Sequence, residues 1–226
     1  MNATVEKAPK GMVLVPATTF AMGASKKDSA TVSAEELPAH RVKVDSFYID
    51  IYPVTQAEFE KVMGFNPSMF ARAPESPVDS VSRPQAIAYC EKVGKRLPTE
   101  AEWECAARAG TTGLLYWGAE DYRDYAFLFY NSGYRTKGVG LKKPNGLGLH
   151  DTIGNVWEWC SDWYDPDYNK TSHAQNPKGP EHGSAGVLRG CSWFTKPEDA
   201  RVTRRKKEDP ANPSVPSIIG FRCVLA

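Results

Sequence analysis

Past a polar start, the chain reads MVLVPATTFAM (residues 12–22), an apolar, β-branched run interrupted by Pro16. A proline cannot sit inside a central strand, so the run predicts two short strands around a turn. Residues 24–38 are polar and mixed and predict a loop. HRVKVDSFYIDIYPVT, residues 40–55, then alternates Val42, Val44, Phe47, Ile49 and Ile51 with polar positions, the period of a strand with one wet face.

Three helices are marked by their ends. Thr55 and Glu58 stand at the spacing where each side chain caps the other's backbone N–H, and Gly64 suits the left-handed stop. Ser82, with Pro84 two residues on, opens a second helix that Gly94 closes. Thr99 and Glu102 repeat the capping box, with Gly110 as the terminator; Trp103, Ala106 and Ala107 share the face expected in the core.

Beyond residue 111 no long periodicity appears. Turn residues separate aromatic pieces (LLYWGA, YAFLFYNSGY, GLGLHD, NVWEWCSDWY, VLRGCSW, GFRCVLA), which read as short irregular strands and long loops. With 41% hydrophobic and 11% aromatic residues the loops are expected to be ordered, and ordered loops longer than about 12 residues are usually functional.

Composition narrows the function more by exclusion. The 226 residues suit one domain, expected over 11–226 behind a disordered tail at 1–10. Lys and Arg number 28 against 27 acidic residues, interleaved, so bulk charge favours neither nucleic acid nor a membrane surface. TRRKKED (203–209) gathers four basic residues, but Glu208 and Asp209 follow at once, which reads as a solvated face. No apolar run approaches the roughly 20 residues that span a bilayer. The five cysteines have no C-x-x-C and no framework spacing; they are expected to be buried, with a single bridge left open. His40, His150, His173 and His182 lack metal-pair spacing. Asp165, Asp167 and Asn169 resemble the start of an EF-hand loop, but Lys170 replaces its glycine and Asn176 its glutamate.

GMVLVPATTFAMG, YPVTQAEFEKVMG, SRPQAIAYCEKVGKRLPTEAEWECAARAG, GLGLHDTIGNVWEWCSDWY, VLRGCSW and IGFRCVLA occur in that order. Together they resemble the formylglycine-generating enzyme, or sulfatase-modifying-factor, domain family. The resemblance implies an α+β fold of the C-type-lectin-like kind, with short strands, about three helices and little regular secondary structure. In catalytic members two cysteines shortly after the G-G-S-[WY] motif bind copper for thiol oxidation. Thr195 and Ala200 hold those places here, and neither supplies a soft ligand or a thiolate. The resemblance therefore implies a chain without that chemistry, requiring no cofactor, with calcium as the one candidate ion. Carried over by position, Asp151 and Glu158 would give carboxylate oxygens to a calcium ion, with the Gly154 and Val156 carbonyls beside them.

The last segment, 187–226, departs most from relatives. Family-like letters (Ser192, Trp193, Pro197, Ala200, Arg201, Arg205, Gly220, Phe221, Arg222) punctuate unusual ones. This layout resembles the variable proteins of diversity-generating retroelements, whose rewritten side chains form a ligand-binding face on a constant scaffold. The resemblance implies a non-catalytic, diversified binding protein. Its face would comprise Cys191, Trp193, Phe194, Thr195, Lys196, Arg204, Lys206, Val215, Pro216, Ser217 and Ile218, with Cys191 at the rim. Lys196 and Lys206 fit poorly with rewriting from asparagine codons ending in a pyrimidine. The expected partner is a protein or cell-surface ligand, and the expected setting a bacterial cell surface or periplasm, with a lipid anchor on a removed leader. A catalytically inactive accessory or regulatory paralogue, and an oxidoreductase, are the competing readings.

Overall fold

The structure, a computed structural model, describes residues 8–28, 30–212 and 214–225. Its strands are β1 (Met12–Val15), β2 (Thr18–Met22), β3 (His40–Val44), β4 (Phe47–Asp50), β5 (Trp157–Trp163), β6 (Gly186–Arg189), β7 (Arg205–Glu208), β8 (Ile219–Gly220) and β9 (Val224–Leu225). The α-helices are α1 (Gln56–Met63), α2 (Arg83–Lys92), α3 (Glu100–Arg108) and the single turn α4 (Tyr168–Thr171).

The expected caps are all made. Thr55, Ser82 and Thr99 each close a capping box, so α1, α2 and α3 begin where the side chains dictate. Gly64 takes the left-handed stop of α1 (φ 82°), while α3 stops one residue earlier than expected, with Ala109 itself left-handed (φ 48°) before Gly110.

Pairing is less local than the sequence suggests. The two strands flanking Pro16 do not pair with each other: β1 pairs antiparallel with β4, and β2 with β3. The alternating stretch 40–55 is accordingly two strands, broken at Asp45 and Ser46 where the chain passes from one sheet to the next. β9 adds to the free edge of β4, which seats the end of the chain beside its beginning. The second half forms one sheet in the order β7-β6-β5-β8, antiparallel except for the parallel β5–β8 pair.

Residues 1–7 of the expected tail lie outside the described residues; of the remainder, the Pro9 carbonyl accepts the Met12 N–H at 3.0 Å. One expectation is corrected. LLYWGA, YAFLFYNSGY and GLGLHD form loops: no described residue from 111 to 156 lies in a strand. Asparagine side chains do the work of a ladder there. Asn131 accepts from Leu128 N (2.7 Å) and donates to the Ala126 carbonyl, and Asn145 accepts from Leu147 N and Leu149 N while donating to the Ala106 carbonyl.

Helix α3 lies between two apolar clusters. Trp103 and Ala107 pack into the larger, with Phe59, Trp159, Leu188 and Phe221; Ala101, Cys105 and Ala106 pack into the smaller, under β1–β4 and β9. The buried indoles keep their N–H groups satisfied, Trp159 on the Val81 carbonyl (2.8 Å) and Trp103 on Glu158 (2.7 Å).

Candidate ligand-binding face

The segment after β6 alternates loops with the short strands β7, β8 and β9, and buried arginines hold it down. Arg189 reaches Glu100 and Glu104, Arg205 binds Glu100 (2.6 Å), Arg201 forks onto Glu36, and Arg222 forks onto Glu158 (2.7 and 2.8 Å). Burial alone would raise the Glu100 carboxyl, but the Arg205 and Arg189 guanidiniums outweigh it and hold it below the usual carboxylate range. Glu36 is likewise held low, against burial, by Arg201 and Thr203. The run TRRKKED is therefore not a uniformly solvated face: Arg205 points into the core, and the side chains on either side of it do not.

Between these anchors, the side chains expected to bind emerge together. Phe194, Thr195, Lys196, Arg204, Lys206 and Ile218 line one groove of about 350 Å³ with Trp157, Ser192 and Asp199. Val215 lines a second groove of about 510 Å³ with Pro67, Ser80, Gln85 and Asn212. Pro216 and Ser217 bridge the two in sequence; the Ser217 carbonyl accepts the Trp193 indole N–H at 3.0 Å. Phe194 and Lys196 are exposed and Arg204 and Lys206 half-buried. Thr195 is largely buried, its Oγ1 accepting the Ser192 N–H at 3.1 Å.

Cys191 is the correction. It is wholly buried (0% exposed), not at the rim, with left-handed backbone (φ 65°) of the kind that favours glycine, and burial raises its thiol. Its neighbour Gly190 (φ 96°) has no room for a side chain, because a Cβ would stand 2.9 Å from the Trp103 ring. All five cysteines are buried as free thiols, and Thr195 and Ala200 bring no sulfur to the groove. The groove residues thus do not fit copper.

The sequence reading missed half of the face. Phe70 packs edge-on to Trp193 (5.7 Å between centroids), Trp193 to Phe194 (5.4 Å), Phe194 to Phe129 (5.5 Å), and Phe129 to Tyr130 and Tyr134. Met69 (71%), Tyr130 (64%), Tyr134 (64%) and Phe194 (57%) are exposed on this ridge, and Arg135 lies over the Phe70 ring. Isolated exposed apolar residues are ordinary; here the rings instead touch in a continuous run. The signal available was YAFLFYNSGY, aromatic residues in a segment with turn residues and no strand partner.

Of the expected calcium donors, the Asp151 and Glu158 carboxylates already have protein partners. Asp151 Oδ2 accepts the Gly140 N–H at 2.8 Å, its Oδ1 is buried without a partner, and burial raises its carboxyl. Gly154 supplies the tight loop, where a Cβ would meet the Phe127 carbonyl at 2.5 Å, and Val156 is buried beside it. Glu158, however, has both oxygens on Arg222, and one also takes the Trp103 indole N–H. Glu158 thus anchors Arg222, and among the described residues no group of three or more His, Cys, Asp or Glu side chains converges. Asp165 and Asp167 are spent on the Asp167 N–H and on Lys170.

Comparison with known proteins agrees with this architecture. Over residues 1–226 the chain matches the model of the sulfatase-modifying factor enzyme 1-like domain. It is 32% identical to the formylglycine-generating enzyme of Bos taurus, across 95% of this chain and 74% of that protein. It is 34% identical to the serine/threonine-protein kinase pkn1 of Chlamydia pneumoniae, across 94% of this chain but only 37% of that protein. Among solved structures, Treponema denticola variable protein 1 superposes with a TM-score of 0.87 at 29% identity, covering 99% of both chains. PvdO from Pseudomonas aeruginosa superposes at 0.81 and 27% identity, over 95% of this chain and 93% of that one. Motifs, fold and relatives together assign the chain to the sulfatase-modifying factor, or formylglycine-generating-enzyme-like, domain family, with its C-type-lectin-like α+β fold.

Proposed function

We propose that this chain is a non-catalytic binding protein that presents its C-terminal loops, backed by the aromatic ridge, to a protein or cell-surface ligand. One observation carries the reading. Within 187–225, Arg189, Arg201, Arg205 and Arg222 are sealed in buried ion pairs, while Phe194, Lys196, Arg204 and Lys206 converge on one groove. Side chains can then change at the surface without disturbing the frame, which is the property a diversified binding face needs. The likeness to Treponema denticola variable protein 1 supports the same use. Its natural setting is a bacterial cell surface or periplasm, and binding calls for no cofactor.

A display library randomised at 194, 196, 204, 206 and 215–218 tests this. Folded members that capture unrelated protein targets are the expected outcome; a library that loses its melting transition at most of these positions would end the reading. The identity to formylglycine-generating enzymes supports an oxidoreductase as the second reading. Copper-dependent oxidation of a cysteine-containing peptide would favour it, and we expect none above the buffer rate.

A further inference from the structure

The groove carries information about the chemistry of its partner. Its charged lining comprises Lys196, Arg204 and Lys206 against the single acid Asp199. Arg204 is committed: it donates to the Asp199 carbonyl at 2.8 Å and stands 3.3 Å from the Asp199 carboxylate. Lys196 is exposed and joins no ion pair among the described residues. Lys206 lies 3.9 Å from Glu208, too far for a hydrogen bond, with its stem half-buried in the groove. The ammonium is part-buried and makes no direct hydrogen bond to its counter-ion, and burial lowers its pKa against the opposing pull of Glu208. Trp157, Ile218 and Phe194 make the remaining wall apolar, and the volume is at the small end of ligand sites. Outside it runs the ridge of Phe194, Phe129, Tyr130 and Tyr134.

Resting on the binding reading above, we infer that the groove takes an acidic side chain of a partner polypeptide, held by Lys206 and Lys196, while an apolar neighbour in that polypeptide lies on the ridge. The arrangement suits a carboxylate better than a phosphate or sulfate. Phosphate recognition favours a free arginine fork, and Arg204 already spends its Nη1 on Asp199, so the groove meets its guest chiefly with the two lysine ammonium point charges. An aromatic ridge alongside demands an apolar partner within a few residues of the acid, which a peptide supplies.

Fluorescence anisotropy with a dye-labelled peptide of alternating Glu and Trp, and with its Gln-for-Glu counterpart, tests this. The acidic peptide is expected to bind about tenfold tighter than the neutral one at low salt, with the advantage fading as salt rises. Lys206→Gln and, at an exposed position that leaves the fold untouched, Lys196→Gln each reduce that advantage severalfold without weakening the neutral peptide. Phe194→Ala weakens both peptides alike. Equal binding of the two peptides, an advantage that survives both lysine substitutions, or preference for a sulfated oligosaccharide over the acidic peptide would each overturn the inference. Where Phe194→Ala weakens both peptides but charge does not matter, only the acidic preference falls. The binding reading itself falls with the display library.

Discussion

Glu158 and Arg222 are the residues on which expectation and structure differ most. Glu158, a calcium donor by resemblance, is here a buried counter-ion with both oxygens accepting from Arg222. Removing one member of such a pair leaves the other charge buried and uncompensated, at a cost of about 3–5 kcal/mol. Glu158→Gln should therefore lower the melting temperature by roughly 10 °C, with or without added calcium, as read by calorimetry. A calcium-dependent rise in the wild-type melting temperature that Glu158→Gln abolishes would return the ion to the site. Asp162 makes a different prediction. It is 2% exposed, receives the Glu100 N–H at 2.9 Å, and is pushed up to about 7 by burial and by the nearby Glu100 charge. Its folded pKa is above the free carboxyl value, so the folded state binds the extra proton. The stability it contributes is full below about pH 4 and is lost as pH rises through 7, by an amount on the order of a few kcal/mol. Glu36 and Glu100 work in the opposite sense, since their lowered pKa values give stability that is lost on acidification. Asp162→Asn keeps an acceptor for the Glu100 N–H and should flatten the fall between pH 4 and 7 in denaturant titrations, leaving the acid limb in place.

At the scale of elements, the helices are locally specified and the sheets are not. Thr99 accepts the Glu102 N–H at 3.1 Å and Glu102 returns the favour to the Thr99 N–H at 2.8 Å, so Thr99→Ala should cost about 1 kcal/mol in chemical denaturation. A smaller cost, within error of zero, would mean that packing of α3 against both clusters suffices to hold its start. Helix α2 and the residue just before β9 meet through sulfur: the Cys90 and Cys223 Sγ atoms are 3.2 Å apart. Both thiols are buried, and that of Cys223 is held well above the usual range by its bond to Cys90 and by burial, so it seldom attacks as a thiolate once folded. Refolding with oxidised glutathione should therefore form one bridge, Cys90 to Cys223, by peptide mapping, while the folded protein reacts slowly. A bridge to Cys105, Cys160 or Cys191 in its place would contradict the packing.

The whole molecule divides into a frame and a face. Because the frame is locked by the indoles and the arginine–carboxylate pairs, exchanging Phe194→Ser, Lys196→Gln and Ser217→Asn together should move the melting temperature by no more than about 3 °C. Arg205→Ala, one residue from groove-lining Arg204 and Lys206, should lower it by about 10 °C because Glu100 loses a buried partner. Similar losses from both variants would mean that surface and frame are not separable. The motifs made the frame legible, since each contained its own cap, turn or tryptophan. The face was legible only along the C-terminal segment. Met69, Phe70, Phe129, Tyr130 and Tyr134 come from segments 60 to 120 or more residues earlier in the chain, and nothing in their local pattern separates an aromatic on a ridge from one in a core. Cys191 shows the converse: a small residue in an apparently exposed run turned inward because its backbone takes the left-handed turn of a glycine.

Local chemistry was enough for what depends on neighbours in the chain. The capping boxes, the loop-rich second half and the absence of sulfur at Thr195 and Ala200 could all be read from the letters. Pairing of β1 with β4 rather than β2, the capture of Glu158 by Arg222, and the aromatic ridge were decided by the tertiary structure alone. Each depends on groups brought together from distant parts of the chain, where burial and charge complementarity, not spacing, select the partner.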